Sequence, residues 1–162
     1  GLFSGRGFNI DSLSVAKTLD PSLSRITLVT DGDDQIVEQI TKQLNKLICV
    51  IKVSDFQDVA HVEREMVLIK VAVEERTRGE IWNTVNIFRA KVIDAGVRSF
   101  VIEVTGDEGK ISAILDLLKP LGVKEIVRTG KVAVQRGLNT LSATTPEKTV
   151  ELKRKRHKEK VA

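Results

Sequence analysis

Two segments of the chain, residues 25–53 and residues 98–127, follow the same order of sequence patterns. Each begins with an apolar, strand-like run, passes through an acidic turn that contains glycine, and then reads as a helix, a short loop and a second strand. The two segments lie about 75 residues apart, which is too far for the repeat of a solenoid. The repeat therefore predicts two small domains of the same kind.

The helices of both segments are predicted by apolar side chains at helical spacing. Asp33 and Asp107 stand just before these patterns, where a carboxylate can cap the free N–H groups of a helix. Pro120 predicts that the second helix ends after Lys119, because proline cannot continue the hydrogen-bond ladder. The apolar positions are Ile36, Val37, Ile40, Leu44 and Leu47 in the first helix, and Ile111, Ile114, Leu115 and Leu118 in the second.

Residues 62–127 contain six predicted elements in the order strand, helix, strand, strand, helix, strand. That order is the split βαβ arrangement of ferredoxin-like domains. Trp82, on the first of these helices with Ile81, Val85 and Phe88, is expected in the core or in an interface.

The first segment matches the later part of the same plan. Its strands are predicted near residues 9–18, 25–30 and 48–54. Arg6 and Gly7 read as the last turn and the terminating glycine of a helix. A first strand and most of a first helix are therefore expected to precede Gly1.

We predict an α+β fold with two ferredoxin-like (βαββαβ) domains in tandem, residues 1–56 and 62–137, followed by a basic tail, residues 138–162. The tail carries seven basic and three acidic residues, which account for the formal charge of +4. Residues 1–137 contain equal numbers of basic and acidic residues, so their net charge is zero. The polar composition of the tail predicts a flexible segment, with a short helix that contains Val150 and Leu152 as the alternative. The balanced charge argues against a nucleic-acid groove on the folded part.

No set of residues has the pattern of a catalytic or metal-binding site. Cys49, the single cysteine, lies in the apolar run LICVIKV, so we expect a buried structural thiol. His61 and His157 are far apart and have no cysteine nearby. The acidic turn TDGDD lacks the later glutamate of a calcium loop. No apolar run reaches the roughly 18 residues of a membrane-spanning helix.

Asn9 is the candidate binding residue, because it stands where the chain passes from the helix end into a strand. Its amide can accept a hydrogen bond from an ammonium group and donate one to a carboxylate. A free amino acid presents both groups. The alternative is that Asn9 only satisfies backbone groups of its own loop, and sequence spacing alone favours that alternative.

Several sequence blocks, in order, resemble the regulatory small subunit of acetolactate synthase (acetohydroxyacid synthase), an ACT-domain family. The resemblance covers almost all of residues 1–137 and is far more specific than a single short motif. The blocks are RGFNI, DPSLSRIT, QLNKLICVIKV, HVEREMVLIKV, RAKVIDA and VRTGKVAVQRG.

The resemblance implies that residues 1–56 form an ACT domain without its first strand and most of its first helix. It implies a homodimer through the ACT domains that binds the catalytic large subunit, raises its activity and confers feedback inhibition by valine or a related branched-chain amino acid. Asn9 and Ile10 would bind this effector. No catalytic or metal-binding residue is implied in this chain, because thiamine diphosphate, Mg²⁺ and FAD would belong to the catalytic subunit. The implied location is the bacterial cytoplasm or the plastid stroma.

Two other classes of function remain open at this point. A stand-alone ACT-type amino-acid sensor of another pathway is the first alternative, although it would not need the block that begins at His61. A nucleic-acid-binding protein that uses the basic tail is the second, and the balanced charge of residues 1–137 argues against it.

Overall fold

The computed structural model describes residues 9–141 and, through their backbone, residues 148–154. The predicted helix end at Arg6 and Gly7 lies outside these residues. The chain divides into two compact units: Glu63–Gly130 forms unit 2, and the residues on either side form unit 1. The elements in chain order are β1 (Ile10–Lys17), β2 (Ser24–Thr30), α1 (Asp34–Asn45), β3 (Val50–Asp55), β4 (His61–Ala72), α2 (Glu75–Ile87), β5 (Lys91–Ala95), β6 (Ser99–Gly106), α3 (Glu108–Gly122), β7 (Val123–Arg128), β8 (Val132–Gln135) and β9 (Lys148–Arg154).

Unit 1 is built on a four-stranded sheet in the order β1-β2-β9-β3. β1 and β2 form an antiparallel hairpin, whereas β9 runs parallel to both β2 and β3. In the hairpin turn, the Asp20 carboxylate accepts hydrogen bonds from the hydroxyl (2.7 Å) and the backbone N–H (2.9 Å) of Ser22. These two bonds, the hydroxyl bond first, hold the pKa of the Asp20 carboxyl below its usual value.

The helix α1 begins at the predicted cap. The Asp33 carboxylate accepts a hydrogen bond from the N–H of Ile36 at 2.9 Å. Gly32 precedes the cap. Any other residue at this position would place its Cβ only 2.8 Å from Cγ2 of Ile36, which favours glycine here. Leu47 lies beyond the end of the helix and is 37% exposed. The core of unit 1 is formed by Leu28, Val37, Ile40 and Leu44.

Unit 2 has the predicted order of elements, from β4 through α2, β5, β6 and α3 to β7. Its strands lie in the order β5-β6-β4-β7, and each of these four strands is antiparallel to its neighbours in that order. The prediction of an α+β fold with two ferredoxin-like units is confirmed. Apolar side chains of both helices, β4 and β6 form the core: Val67, Ile69, Val71, Ile81, Val85, Phe100, Ile102, Val104, Ile111, Ile114, Leu115 and Leu118.

The last helix of unit 2 is longer than its sequence indicated. Asp107 caps it as predicted, accepting a 2.9 Å hydrogen bond from the N–H of Lys110. The prediction that it ends after Lys119 is wrong, because Pro120 lies inside its last turn. The N–H that Pro120 lacks would have bonded to the carbonyl of Asp116, an exposed residue within reach of water. The helix ends instead at Gly122, whose φ of +109° favours glycine.

Two side chains that were expected in the interior lie on the surface. Cys49 is exposed, because it belongs to the turn before β3, which begins at Val50 rather than at residue 48. The expectation of a buried thiol is therefore wrong. Trp82 is 48% exposed and packs edge-on against Phe100, with ring centroids 5.9 Å apart. It is not a core residue, and a role in an interface stays a prediction.

A strand lies where a flexible tail was predicted. β9 spans Lys148–Arg154, so neither flexibility nor a short helix at Val150 and Leu152 describes these residues. The reason lies in the register, since these two apolar residues pair with Ile26 and Leu28 of β2. An apolar residue at every second position fits a strand and not a helix. The other tail residues, 142–147 and 155–162, lie outside the described part, and the domain boundaries 1–56 and 62–137 stay predictions.

Candidate functional site

The candidate site lies where the chain enters β1. Asn9 directly precedes this strand and is exposed. Ile10, the first residue of the strand, is half-buried and packs against the core of unit 1. The two residues singled out in the sequence thus have different environments. Asn9 is open to a ligand from solvent, and Ile10 anchors the end of the strand.

Thr30, the last residue of β2, holds Asn9 in place. Its hydroxyl donates a 2.7 Å hydrogen bond to the carbonyl oxygen of Asn9. In the β1–β2 ladder, Thr30 is also the partner of Ile10. Thr30 is fully buried, so its hydroxyl has left water and needs this acceptor. The bond therefore fixes the backbone of Asn9 relative to β2.

The side-chain amide of Asn9 is the group that a ligand can meet. Within residues 9–141, the hydrogen bond at Asn9 involves its backbone carbonyl and not its side-chain amide. The amide oxygen can accept from an ammonium group, and the amide nitrogen can donate to a carboxylate. A free amino acid carries both groups, so the exposed amide fits one end of such a ligand.

A β-bulge separates this strand entrance from the regular part of the hairpin. The register shifts between Ile10 and Ser12, which leaves Asp11 as the additional residue of β1. Bulges change the direction of neighbouring side chains and are frequent beside binding sites. The loop that follows Thr30 leads to α1, where the Asp33 carboxylate already occupies an N–H group of the first turn.

Sequence reasoning missed Thr30. Its hydroxyl and its acceptor are 21 residues apart in the chain, and only the hairpin brings them together. The signal that could have found it is the pairing of the two strands across the turn at DPSLS. Because the register of that pairing depends on the turn and on a bulge, the sequence did not assign a partner to this threonine.

Neither a metal-ligand group nor a membrane-spanning helix is found among the described residues. Within residues 9–141, no three His, Cys, Asp or Glu side chains are grouped so that they could hold a metal ion. The His61 ring makes a hydrogen bond within its own loop, in which Nδ1 lies 2.6 Å from the carbonyl oxygen of Val59. In the same part of the chain, no helix has the length and apolar character that crossing a membrane requires.

Comparison with known proteins finds matches along both units. A family model described as the AHAS small subunit-like ACT domain matches residues 1–52, and one described as the small subunit of acetolactate synthase matches residues 64–137. The probable acetolactate synthase small subunit of Archaeoglobus fulgidus is 56% identical over 137 residues, covering 85% of this chain and 86% of that protein. The chloroplastic acetolactate synthase small subunit 2 of Arabidopsis thaliana is 48% identical over 136 residues, covering 84% of this chain and 28% of that protein.

A solved structure matches as well. The acetolactate synthase small subunit from Thermotoga maritima superposes with a TM-score of 0.72 at 42% identity. The match covers 85% of this chain and 86% of that one.

Proposed function

Since this chain belongs to the acetolactate synthase small-subunit family, we propose that it regulates the catalytic large subunit of that enzyme. It binds the large subunit, raises its activity and makes it subject to inhibition by valine or a related branched-chain amino acid. Its place is in branched-chain amino-acid biosynthesis. Thiamine diphosphate, Mg²⁺ and FAD belong to the large subunit in this proposal, and the small subunit performs no chemistry itself.

The observation that carries the effector site is the exposed Asn9 amide on a backbone fixed by buried Thr30. When an amino acid binds, its ammonium and carboxylate groups lose water and need hydrogen-bond partners. Asn9 supplies one such partner without having to be ordered first, because its backbone is already held. Ile10, which is half-buried beside it, offers apolar contact to a branched side chain.

We propose a homodimer that forms through the ACT domains. Support comes from β1, which is the edge strand of its sheet in the part of the chain that the structure describes. Leu13 and Val15 are 55% and 58% exposed on this strand. A second copy that covers β1 would remove these two apolar side chains from water. The names of the relatives support a bacterial cytoplasm or a plastid stroma as the place of action.

Reconstitution with the catalytic large subunit tests the proposal. The protein is titrated into the large subunit, and acetolactate formation is measured with and without valine. We expect the rate to rise with added small subunit and valine to inhibit the complex more strongly than the large subunit alone. Absence of binding and of any rate change would reject the regulatory role. Activation without a valine response would reject the effector site.

A further inference from the structure

Both helices of unit 2 pack against the same face of its sheet. Alternate residues of β4 and β6, among them Val67, Ile69 and Ile102, form the core together with side chains of α2 and α3. Because successive residues of a strand point to opposite faces, Leu68 and Val101 lie on the other side of the sheet. That side of β5, β6, β4 and β7 is called the open face.

Strand pairing places side chains of the open face in two adjacent rows. Each row takes one residue from each of the four strands, and neighbours within a row are partners in the ladders. The two rows are two residues apart along β4. In the strand order β5, β6, β4 and β7, the first row is Lys91, Glu103, Leu68 and Val127, and the second row is Asp94, Val101, Lys70 and Glu125.

Apolar and charged side chains are interleaved in the two rows. In the middle of the face, Leu68 and Val101 lie on one diagonal and are half-buried, whereas Glu103 and Lys70 lie on the other. Val127, on β7, is 53% exposed. The solvated face of an antiparallel sheet is usually polar. The open face therefore carries apolar surface whose removal from water would be favourable.

The charges of the open face complement one another when two copies are related by a two-fold axis. An axis that lies between the rows and runs across the strands places each strand opposite its own equivalent and exchanges the two rows. Lys91 then lies opposite Asp94 of the second copy, and the same contact occurs twice by symmetry.

The middle of the face is complementary under the same axis. Side chains of two packed sheets interdigitate, so residues on a diagonal meet. Glu103 approaches Lys70 of the second copy, and Leu68 approaches Val101 of the second copy. Opposite charges and apolar groups are thereby both matched.

The other simple two-fold arrangement is disfavoured by charge. An axis parallel to the strands would keep the rows and exchange β5 with β7. Asp94 would then lie opposite Glu125 of the second copy. Like charges that face each other across an interface weaken it. The charge pattern thus favours the axis across the strands.

We propose that the open face of unit 2 is an interface between two copies of this chain, related by a two-fold axis that runs across the strands. The two rows contain two lysines and three carboxylates, so their formal charge is −1 and offers little attraction to a highly charged partner. This interface is separate from a homodimer through the ACT domains, and a chain with both would join dimers into a larger assembly. The proposal does not depend on the regulatory function.

Cross-linking with a carbodiimide locates the contact, because this reagent joins lysine amines to nearby carboxylates. Protein with ordinary nitrogen and protein labelled with heavy nitrogen are refolded from a mixture and then cross-linked. We expect products that join Lys91 to Asp94 with a different label on each half. The internal control is Lys70 and Glu125, which lie 3.3 Å apart within one chain and should give products of a single label. Control products without the mixed-label product would overturn the proposal.

A charge exchange tests the two-fold arrangement. Lys91→Glu and Asp94→Lys each create like-charge contacts twice in the interface. In sedimentation equilibrium, each should weaken one self-association step at least about tenfold. The double substitution restores opposite charges and should return the dissociation constant to within about threefold of the wild-type value. Unchanged association in the single variants, or no recovery in the double variant, would contradict the arrangement.

Two further variants separate the open face from the rest of unit 2. Lys119→Glu makes the same charge change on α3 and should leave self-association unchanged. Val101→Glu places a carboxylate opposite Glu103 of the second copy and should abolish the mixed-label product. Hydrogen exchange in α2 and α3 should match the wild type in every variant, which verifies that unit 2 is folded. A folded Val101→Glu protein with wild-type self-association would overturn the proposal.

Discussion

The buried hydroxyl of Thr30 donates a 2.7 Å hydrogen bond to the carbonyl oxygen of Asn9 across the first residues of the β1–β2 hairpin. The buried side chain of Thr30 thus holds the backbone of Asn9, whose own side chain is exposed to solvent. The two residues have separable roles, since the Asn9 amide would contact a ligand and Thr30 would only position it. Substitutions at the two positions should differ in a measurable way.

Asn9→Ala is expected to weaken inhibition by valine more than it weakens activation. Loss of one hydrogen bond to a charged ligand group costs roughly 1.5–3 kcal/mol, or about ten- to a hundredfold in affinity. Valine titration of the reconstituted complex measures the shift in the half-inhibitory concentration. Asn83→Ala, at an exposed asparagine of α2, is the control and should change nothing. If Asn9 only serves its own loop, stability, activation and inhibition should fall together.

Thr30→Val is expected to affect both stability and the valine response. The substitution keeps the shape of the side chain and removes its hydroxyl, which should lower the free energy of unfolding by about 0.5–1.5 kcal/mol. The half-inhibitory valine concentration should rise less than for Asn9→Ala, because the amide itself remains. The matched control is Thr41→Val, whose hydroxyl bonds to the carbonyl of Val37 at 2.8 Å inside α1. A valine shift of equal size in the two variants would show that Thr30 has no special role.

The two helix caps should act on separate units. Asp33→Ala and Asp107→Ala each remove the acceptor of a 2.9 Å bond at a helix N-terminus. Each is expected to lower stability by about 0.5–2 kcal/mol in chemical denaturation. Hydrogen exchange should accelerate in α1 for the first variant and in α3 for the second. Acceleration in both helices from either substitution would contradict the independence of the two caps.

Cys49 should behave as a surface thiol. Because it is exposed in the turn before β3, it should react with a thiol reagent in the native protein as readily as in the unfolded chain. Cys49→Ser should change the free energy of unfolding by no more than about 0.5 kcal/mol. Protection of the thiol until the protein unfolds would instead support the buried position that the apolar run LICVIKV suggests.

The features that the sequence predicted correctly depend on residues close together in the chain. Asp33 and Asp107 cap the helices that follow them, and the run KVIDA forms β5 as expected. Each of these signals acts within a few residues. The helix end was predicted wrongly at Pro120. A proline inside a helix costs less free energy when the carbonyl that it leaves without a donor can reach water. The sequence alone does not show which carbonyls are exposed.

The features that the sequence missed depend on pairing between distant segments. Thr30 contacts Asn9 only through the hairpin, and β9 meets β2 more than 100 residues later in the chain. Composition argued against a strand in a segment with so many charges. Alternation of Val150 and Leu152 was present in the sequence, but nothing in the sequence assigned β2 and β3 as the strands with which this segment pairs.

The continuity of unit 2 affects the order in which the protein can fold on the ribosome. Unit 2 comes from one continuous stretch, Glu63–Gly130, so it can fold while translation continues. Unit 1 takes residues from both sides of that stretch, so its last contacts form only after the residues that follow Gly130 have been synthesised. The unit that begins to emerge first is therefore finished last.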